Sequence, residues 1–340
     1  MIIDMHCHIV PENFPPGGGR PGADRWPSMD HFEPGRAKVI IGGENYRTVH
    51  AGNWDIERRL QDMAEHGVDA QAISPMPELL SYWLTPDDAL DLARHTNDVI
   101  RTMCDAAPDR FFGLGTVPLQ DPHLAAQELA NVKAMGLSGI ELGSNVNGRS
   151  LGMPEFLEFF QEAQRLDVPI FVHALHPTML DRLTSASQAN PIGFPIDTAL
   201  TIASLIDGGT AEQCPDLRLA FSHGGGVFPF QLPRYHHQWS GAWNEGDPVE
   251  GRGVSLPRSP FDYARRFYYD TLLFDRRAIR YLIDTIGHRQ IMVGTDYPFM
   301  EPERPADASL RSLDLPDAVH DDITWNNTFR FLGVEAPVPA

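Results

Sequence analysis

Asp4-Met5-His6-Cys7-His8, preceded by the apolar Met1-Ile2-Ile3, is the stretch from which the rest of the chain can be read. In a strand, residues i and i+2 share a face, so His6 and His8 point together while Cys7 points away. Three later apolar runs also end in a metal-type ligand: Phe171-Val172-His173, Ala220-Phe221-Ser222-His223 and Val293-Gly294-Thr295-Asp296. If the four runs are parallel strands of one barrel, their C-terminal ends meet at a single mouth, where imidazoles and a carboxylate can hold a metal with room for a water.

The remaining sequence agrees with such a barrel. Strand-like runs recur at 1–4, 68–75, 111–117, 138–143, 169–174, 218–222, 267–271 and 290–294. Helical patterns separate most of them. Asn53 is read as the cap of a helix over 54–66 that stops at Gly67. Pro86 opens 87–107, Asp121 precedes a helix ending at Gly136, and Pro154 opens another through Leu166. Helices over 196–206 and 276–286 run into Gly208 and Gly287. Eight strand–helix units predict an α/β (β/α)8 TIM barrel, with an extra helix at the C-terminus. The rival open doubly wound sheet is disfavoured, because no glycine-rich phosphate fingerprint follows the first strand.

The chain is expected to form one domain over residues 1–340, with two additions. Residues 10–52 are rich in Pro and Gly. They contain a β-hairpin pattern, Lys38–Ile41 and Tyr46–Val49 around Gly42-Gly43, expected as a lid over the mouth. Residues 227–260, with His236, His237, Trp239 and Trp243, are read as a long loop and dimer contact.

With 340 residues and 42% hydrophobic content the chain can bury a large core. A formal charge of −19 and the lack of a basic cluster argue against a nucleic-acid partner. The 3 cysteines are too few and too scattered for a disulfide framework. No signal peptide and no membrane-length apolar run is evident, so the expectation is a soluble, cytoplasmic protein.

His6, His8, His173 and Asp296 are the expected metal ligands. His223 is open to two readings, a fifth ligand or an unligated acid/base, and the second is preferred because a nearby imidazole can take a proton at neutral pH. Bridged two-metal sites of this kind commonly use a carbamylated lysine on the fourth strand. The 2 lysines, Lys38 and Lys133, fall in the insertion and in a helix. Glu141 is the residual bridging candidate, and one divalent ion is expected, zinc first and manganese second.

At this point the chain resembles the amidohydrolase superfamily, in its decarboxylase branch. The likeness runs through Asp4-Met5-His6-Cys7-His8, Tyr46-Arg47, Asn53-Trp54-Asp55, Ser81-Tyr82-Trp83, Arg110-Phe111-Phe112-Gly113-Leu114-Gly115-Thr116, His223-Gly224-Gly225-Gly226 and Gly294-Thr295-Asp296-Tyr297-Pro298-Phe299. The resemblance implies zinc on His6, His8, His173 and Asp296, a water activated by His223, and a substrate carboxylate held by Arg47. It also implies a homodimer in which Arg234 reaches the neighbouring subunit's site. Arg47 on a lid suits a bidentate grip on a carboxylate. Trp83 and Phe299 are candidates to flank a planar substrate. The chain departs from the resembled pattern after the fifth-strand histidine. Ala174-Leu175-His176-Pro177 stands where that pattern has Pro-Trp, which makes His176 a candidate pocket residue.

The expected function is metal-dependent, non-oxidative decarboxylation of an unsaturated or aromatic carboxylic acid, as in aromatic catabolism. The competing reading is a hydrolase or hydratase acting on a ring-cleavage product. A scaffold protein that merely retains a barrel is disfavoured by the complete ligand set.

Overall fold

A computed structural model describes residues 1–241 and 256–335. Eight parallel strands follow one another in sequence order around a barrel: β1 (Ile3–Ile9), β5 (Ala70–Pro75), β6 (Phe111–Gly115), β7 (Gly139–Gly143), β10 (Ile170–His173), β11 (Leu219–Phe221), β12 (Tyr268–Asp270) and β13 (Ile291–Met292). The first and last strands close the ring. Met5 N donates to Val293 O at 2.8 Å, Asp296 N to His6 O at 2.8 Å, and His8 N to Tyr297 O at 2.7 Å. Asp4 adds a side-chain clasp, accepting from Thr295 N at 3.0 Å and Thr295 Oγ1 at 2.5 Å.

Every run expected as a strand is one, but β1 extends through both histidines instead of ending before them. Its pairing with β5 slips between Asp4 and Cys7, the mark of a β-bulge. Bulges next to active sites re-aim side chains. Here Met5 still joins Ala72, Leu114, Phe171, Ala220 and Met292 in the apolar filling of the barrel. The larger core lies outside, between the strands and the surrounding helices.

The helix ends follow from their terminal residues. Helix Pro86–Ala106 starts at Pro86, with Thr85 Oγ1 accepting from Asp88 N at 3.3 Å. Helix Ile56–His66 stops at Gly67, whose φ of 69° is the left-handed cap. Its N-cap is Asp55, not Asn53: Asp55 Oδ1 accepts from Arg58 N at 2.9 Å. Asn53 belongs to a preceding tight turn and donates to His50 O at 3.0 Å.

The insertion is a three-stranded antiparallel sheet rather than a hairpin, formed by β2 (Ser28–Glu33), β3 (Arg36–Ile41) and β4 (Glu44–His50). Gly42 and Gly43, at φ 63° and 77°, make the two-residue turn between β3 and β4. β2 escaped the sequence reading because it is largely exposed and has little apolar alternation to show. Ala37, Val39 and Val49 seat the sheet on Val10, Met76 and Leu79 at the barrel top. A small ribbon, β8 (Asn145–Val146) with β9 (Arg149–Ser150), follows β7.

Residues 227–260 are not one long loop. Phe228–Trp239 is an α-helix carrying Arg234, His236, His237 and Trp239, and a short helix starts at Pro260. Trp243 lies outside the described residues. After β13 come several short helical segments where one helix was expected, ending in Asn327–Leu332. Among the described residues, no helix is long and apolar enough to cross a membrane.

Candidate metal centre and active site

His6 and His8 project from β1, His173 is the last residue of β10, and Asp296 follows β13. One ligand atom from each lies within 4.8 Å of all the others, and all four residues are buried. The second ring nitrogen of each histidine explains why the first faces inward. His6 Nδ1 meets Asp270 Oδ2 at 2.6 Å, His8 Nδ1 meets Pro75 O at 2.9 Å, and His173 Nδ1 meets Ala174 O at 2.8 Å. Each partner accepts, so each Nδ1 carries the proton and each Nε2 turns a lone pair to the centre, the tautomer that metal-binding histidines use.

Two buried lone pairs facing each other repel unless a cation or proton lies between them. His6 Nε2 and His8 Nε2 are 3.1 Å apart, close to the roughly 3.3 Å that separates two nitrogens on a tetrahedral zinc. Asp296 Oδ1 is 3.2 Å from His8 Nε2 and 3.7 Å from His6 Nε2. His173 Nε2 is buried with no hydrogen-bond partner among the described residues. The donor set therefore fits a divalent ion. Burial works against a charge on His8, but the carboxylates of Glu141 and Asp296 outweigh it and lift its pKa to about 9, so a cation binding here would displace a proton from this ring. Burial and the adjacent imidazoles hold His173 well below the ordinary value.

Glu141 stands at the residual bridging position on β7. Its Oε2 is 3.6 Å from His8 Nδ1, yet neither oxygen has a hydrogen-bond partner among the described residues, and it lies outside the four-residue cluster. Lys38 is on β3 and Lys133 on a helix, as expected.

His223 lies just past β11 with a left-handed φ of 55°. Its ring centre is 5.3 Å from that of His6 and 5.1 Å from that of His173, and it is not one of the clustered ligands. Burial and the neighbouring His6 push its pKa down to about 4, so the ring is neutral at pH 7. Asp270 fixes the backbone here. Its Oδ2 accepts from His223 N at 2.9 Å and its Oδ1 from Gly224 N at 2.8 Å. The same carboxylate thus orients the candidate ligand His6 and the turn bearing His223. The sequence reading missed it, although Asp270 lies near the end of the seventh strand run, 267–271, and is the last residue of β12.

A cavity of about 440 Å³ opens beside the cluster, and both His173 and Asp296 line it. Arg47 enters from β4 in the sheet above. Its guanidinium lies 4.2 Å from the Phe299 ring centre, and Phe299 stacks on His8 at 5.4 Å. Arg47, Phe299 and His176 all line this cavity; Trp83 does not. It backs His176 instead, with ring centres 5.5 Å apart and planes 28° apart. Glu78, unmarked in the sequence, also lines the cavity and holds His176 Nε2 at 2.9 Å. Arg234 is exposed on helix Phe228–Trp239, away from this subunit's cavity.

The sequence profile of the amidohydrolase family matches residues 3–334. The chain belongs to the amidohydrolase family. Among members of known activity, the 2-amino-3-carboxymuconate-6-semialdehyde decarboxylase of Dictyostelium discoideum is 34% identical over 98% of this chain and 92% of its own. A dihydroxybenzoic acid decarboxylase from Polaromonas sp. JS666, solved with bound manganese and the inhibitor 2-nitroresorcinol, superposes with a TM-score of 0.71. It is 26% identical and covers 82% of this chain and 85% of its own. The 5-carboxyvanillate decarboxylase of Sphingomonas paucimobilis shares the fold at a TM-score of 0.80, with 24% identity over 98% and 99% of the two chains. These amidohydrolase relatives are carboxy-lyases.

Proposed function

We propose that this amidohydrolase is a metal-dependent, non-oxidative decarboxylase of an unsaturated or aromatic carboxylic acid. The observation that carries the reading is the convergence of three imidazole Nε2 lone pairs and Asp296 beside a cavity roofed by Arg47. His6, His8, His173 and Asp296 would hold one divalent ion, zinc or manganese. That ion would supply Lewis acidity, polarising substrate oxygens and acidifying a water.

The chain's own groups account for the rest. Arg47 offers a planar, permanently charged fork to a carboxylate. Phe299 gives a flat apolar face to a conjugated substrate. As CO2 departs, the broken bond's electron pair stays on the substrate carbon and spreads into the conjugated system, and that carbon takes up a proton. His223, neutral and next to the ligands, is suited to relay that proton.

A homodimer with Arg234 serving the partner's site belongs to the same proposal. Arg234 and Phe230 are four residues apart on one helix and share a face. Phe230 is 72% exposed, with Tyr281 at 6.0 Å. An exposed aromatic pair beside an arginine has the composition of an interface core.

The test is a screen of metal-loaded protein against ring-fission acids and hydroxybenzoates, reading CO2 and ultraviolet absorbance together. Stoichiometric CO2 is expected. Substrate loss without CO2 would place the protein among hydrolases or hydratases, and inertness toward every acid would refute the assignment.

A further inference from the structure

The segment after β10 is built around His176. It holds φ of 42°, in the left-handed region that a side chain other than glycine enters only when its surroundings compel it. Those surroundings are visible. Asn145 Nδ2 donates to Leu175 O at 2.7 Å and His176 O at 3.3 Å, and Leu175 N donates to Ser144 Oγ at 3.0 Å. Asp197, fully enclosed, accepts from Ser144 Oγ, from Asn145 Nδ2 at 3.0 Å, and from Thr178 N at 3.1 Å. Backbone on both sides of His176 is clamped to one buried carboxylate.

The side chain is fixed as firmly. Its Nε2 lies 2.9 and 3.0 Å from the two oxygens of Glu78, and its ring stacks on Trp83. Glu78 is buried, while the His176 side chain remains 51% exposed, and both line the cavity that holds His173 and Asp296. A carboxylate that accepts the Nε2 proton of a neutral imidazole leaves Nδ1 as an acceptor. That nitrogen has no hydrogen-bond partner among the described residues. Strain, a buried clamp and an oriented half-exposed ring together mark a recognition element rather than a spacer.

We propose that His176, oriented by Glu78, is a specificity-determining residue that accepts a hydrogen bond from a hydroxyl or amino group on the substrate. This rests on the decarboxylase reading above and adds the chemistry of the substituent that the site selects. Sites built to pair a substrate hydroxyl or amine discriminate against analogues that lack it.

The test is calorimetry on the metal-loaded, full-length protein with benzoate, the 3- and 4-hydroxybenzoates, the 3- and 4-aminobenzoates, and the matching methoxybenzoates. At least one hydroxy or amino acid should bind about tenfold tighter than benzoate. The methoxy acids, which cannot donate, should show no such gain. His176→Phe, which keeps an aromatic ring on Trp83, should reduce the preference to about twofold or less. Glu78→Leu should do the same by freeing the imidazole, while Glu78→Gln, which still accepts from Nε2, should keep part of it. Melting temperature and metal content verify that each variant is folded and loaded. A brace that merely holds the loop would change overall affinity and leave the ratio intact. A preference that survives in both His176→Phe and Glu78→Leu, or a wild-type protein that releases CO2 yet shows no preference, overturns this inference alone. Failure of every acid to bind and of every candidate to release CO2 overturns the proposed function and this inference together.

Discussion

Replacing Asp270 with asparagine should weaken metal binding by roughly 10–100-fold, the usual cost of losing a group that orients a ligand. Four donors converge on this carboxylate. Oδ2 accepts from His6 Nδ1 at 2.6 Å and His223 N at 2.9 Å; Oδ1 accepts from Gly224 N at 2.8 Å and Leu272 N at 3.1 Å. An amide has one acceptor oxygen and one donor nitrogen, so either rotamer sets an NH2 against two N–H groups. With nitrogen toward His6, the imidazole relieves the clash by moving its proton to Nε2, which removes the lone pair that faces the metal. With nitrogen toward Gly224, the turn carrying His223 loses its support. With nitrogen toward His6, His223 N loses its acceptor; with nitrogen toward Gly224, both Gly224 N and Leu272 N do, at about 1–3 kcal/mol for a buried donor. Chelator competition followed by mass-spectrometric metal analysis reads the affinity, thermal melting reads the stability, and CO2 release at saturating metal reads the turn. An Asp270→Asn protein with wild-type metal affinity and wild-type turnover would refute the assigned role of this carboxylate.

Metal analysis of the purified protein should give about one ion per chain; two tightly held ions bridged through Glu141 would contradict the mononuclear assignment. His223→Ala should retain the ion and lose roughly 10²–10⁴-fold in turnover, and loss of the ion instead would make His223 a ligand. Arg47→Ala should raise KM for the carboxylate substrate by about tenfold or more, since a charge-assisted bond is lost; an unchanged KM would leave Arg47 with only its contact to Phe299. Inactive Arg234→Ala chains mixed with inactive His223→Ala chains should regain activity after exchange, because one subunit pairing then has an intact Arg234, metal set and His223. Proven heterodimers without recovery would place Arg234 outside the partner's site.

Much of the site was legible because barrel strands repeat a local signal. An apolar run ending in a ligand-type residue marked β1, β10, β11 and β13, and the i, i+2 spacing of His6 and His8 survived the bulge that local reading did not foresee. Helix ends were legible where proline or glycine imposed a backbone restriction, as at Pro86 and Gly67. They were less so where two polar residues competed: Asn53 and Asp55 are both good caps, and only the tight turn at Ala51–Asn53 gives the role to Asp55. The three-stranded sheet was half visible, since β3 and β4 frame a Gly-Gly turn whereas exposed β2 buries too little to leave a pattern.

The order of apolar runs, breaks and ligand types in this chain determined the barrel and four metal-ligand candidates, because period and strand-end position are properties of neighbouring residues. The partners that tune those ligands were decided in three dimensions. Asp270 is 264 residues from His6, and Glu78 is 98 from His176. Trp83, expected to flank a planar substrate, stands behind His176 because the segment after β10 carries that histidine between it and the cavity. Such pairings depend on which strand ends and loops the closed barrel brings together, and on the removal of water that makes a buried carboxylate strong enough to set an imidazole's tautomer. No local period encodes them.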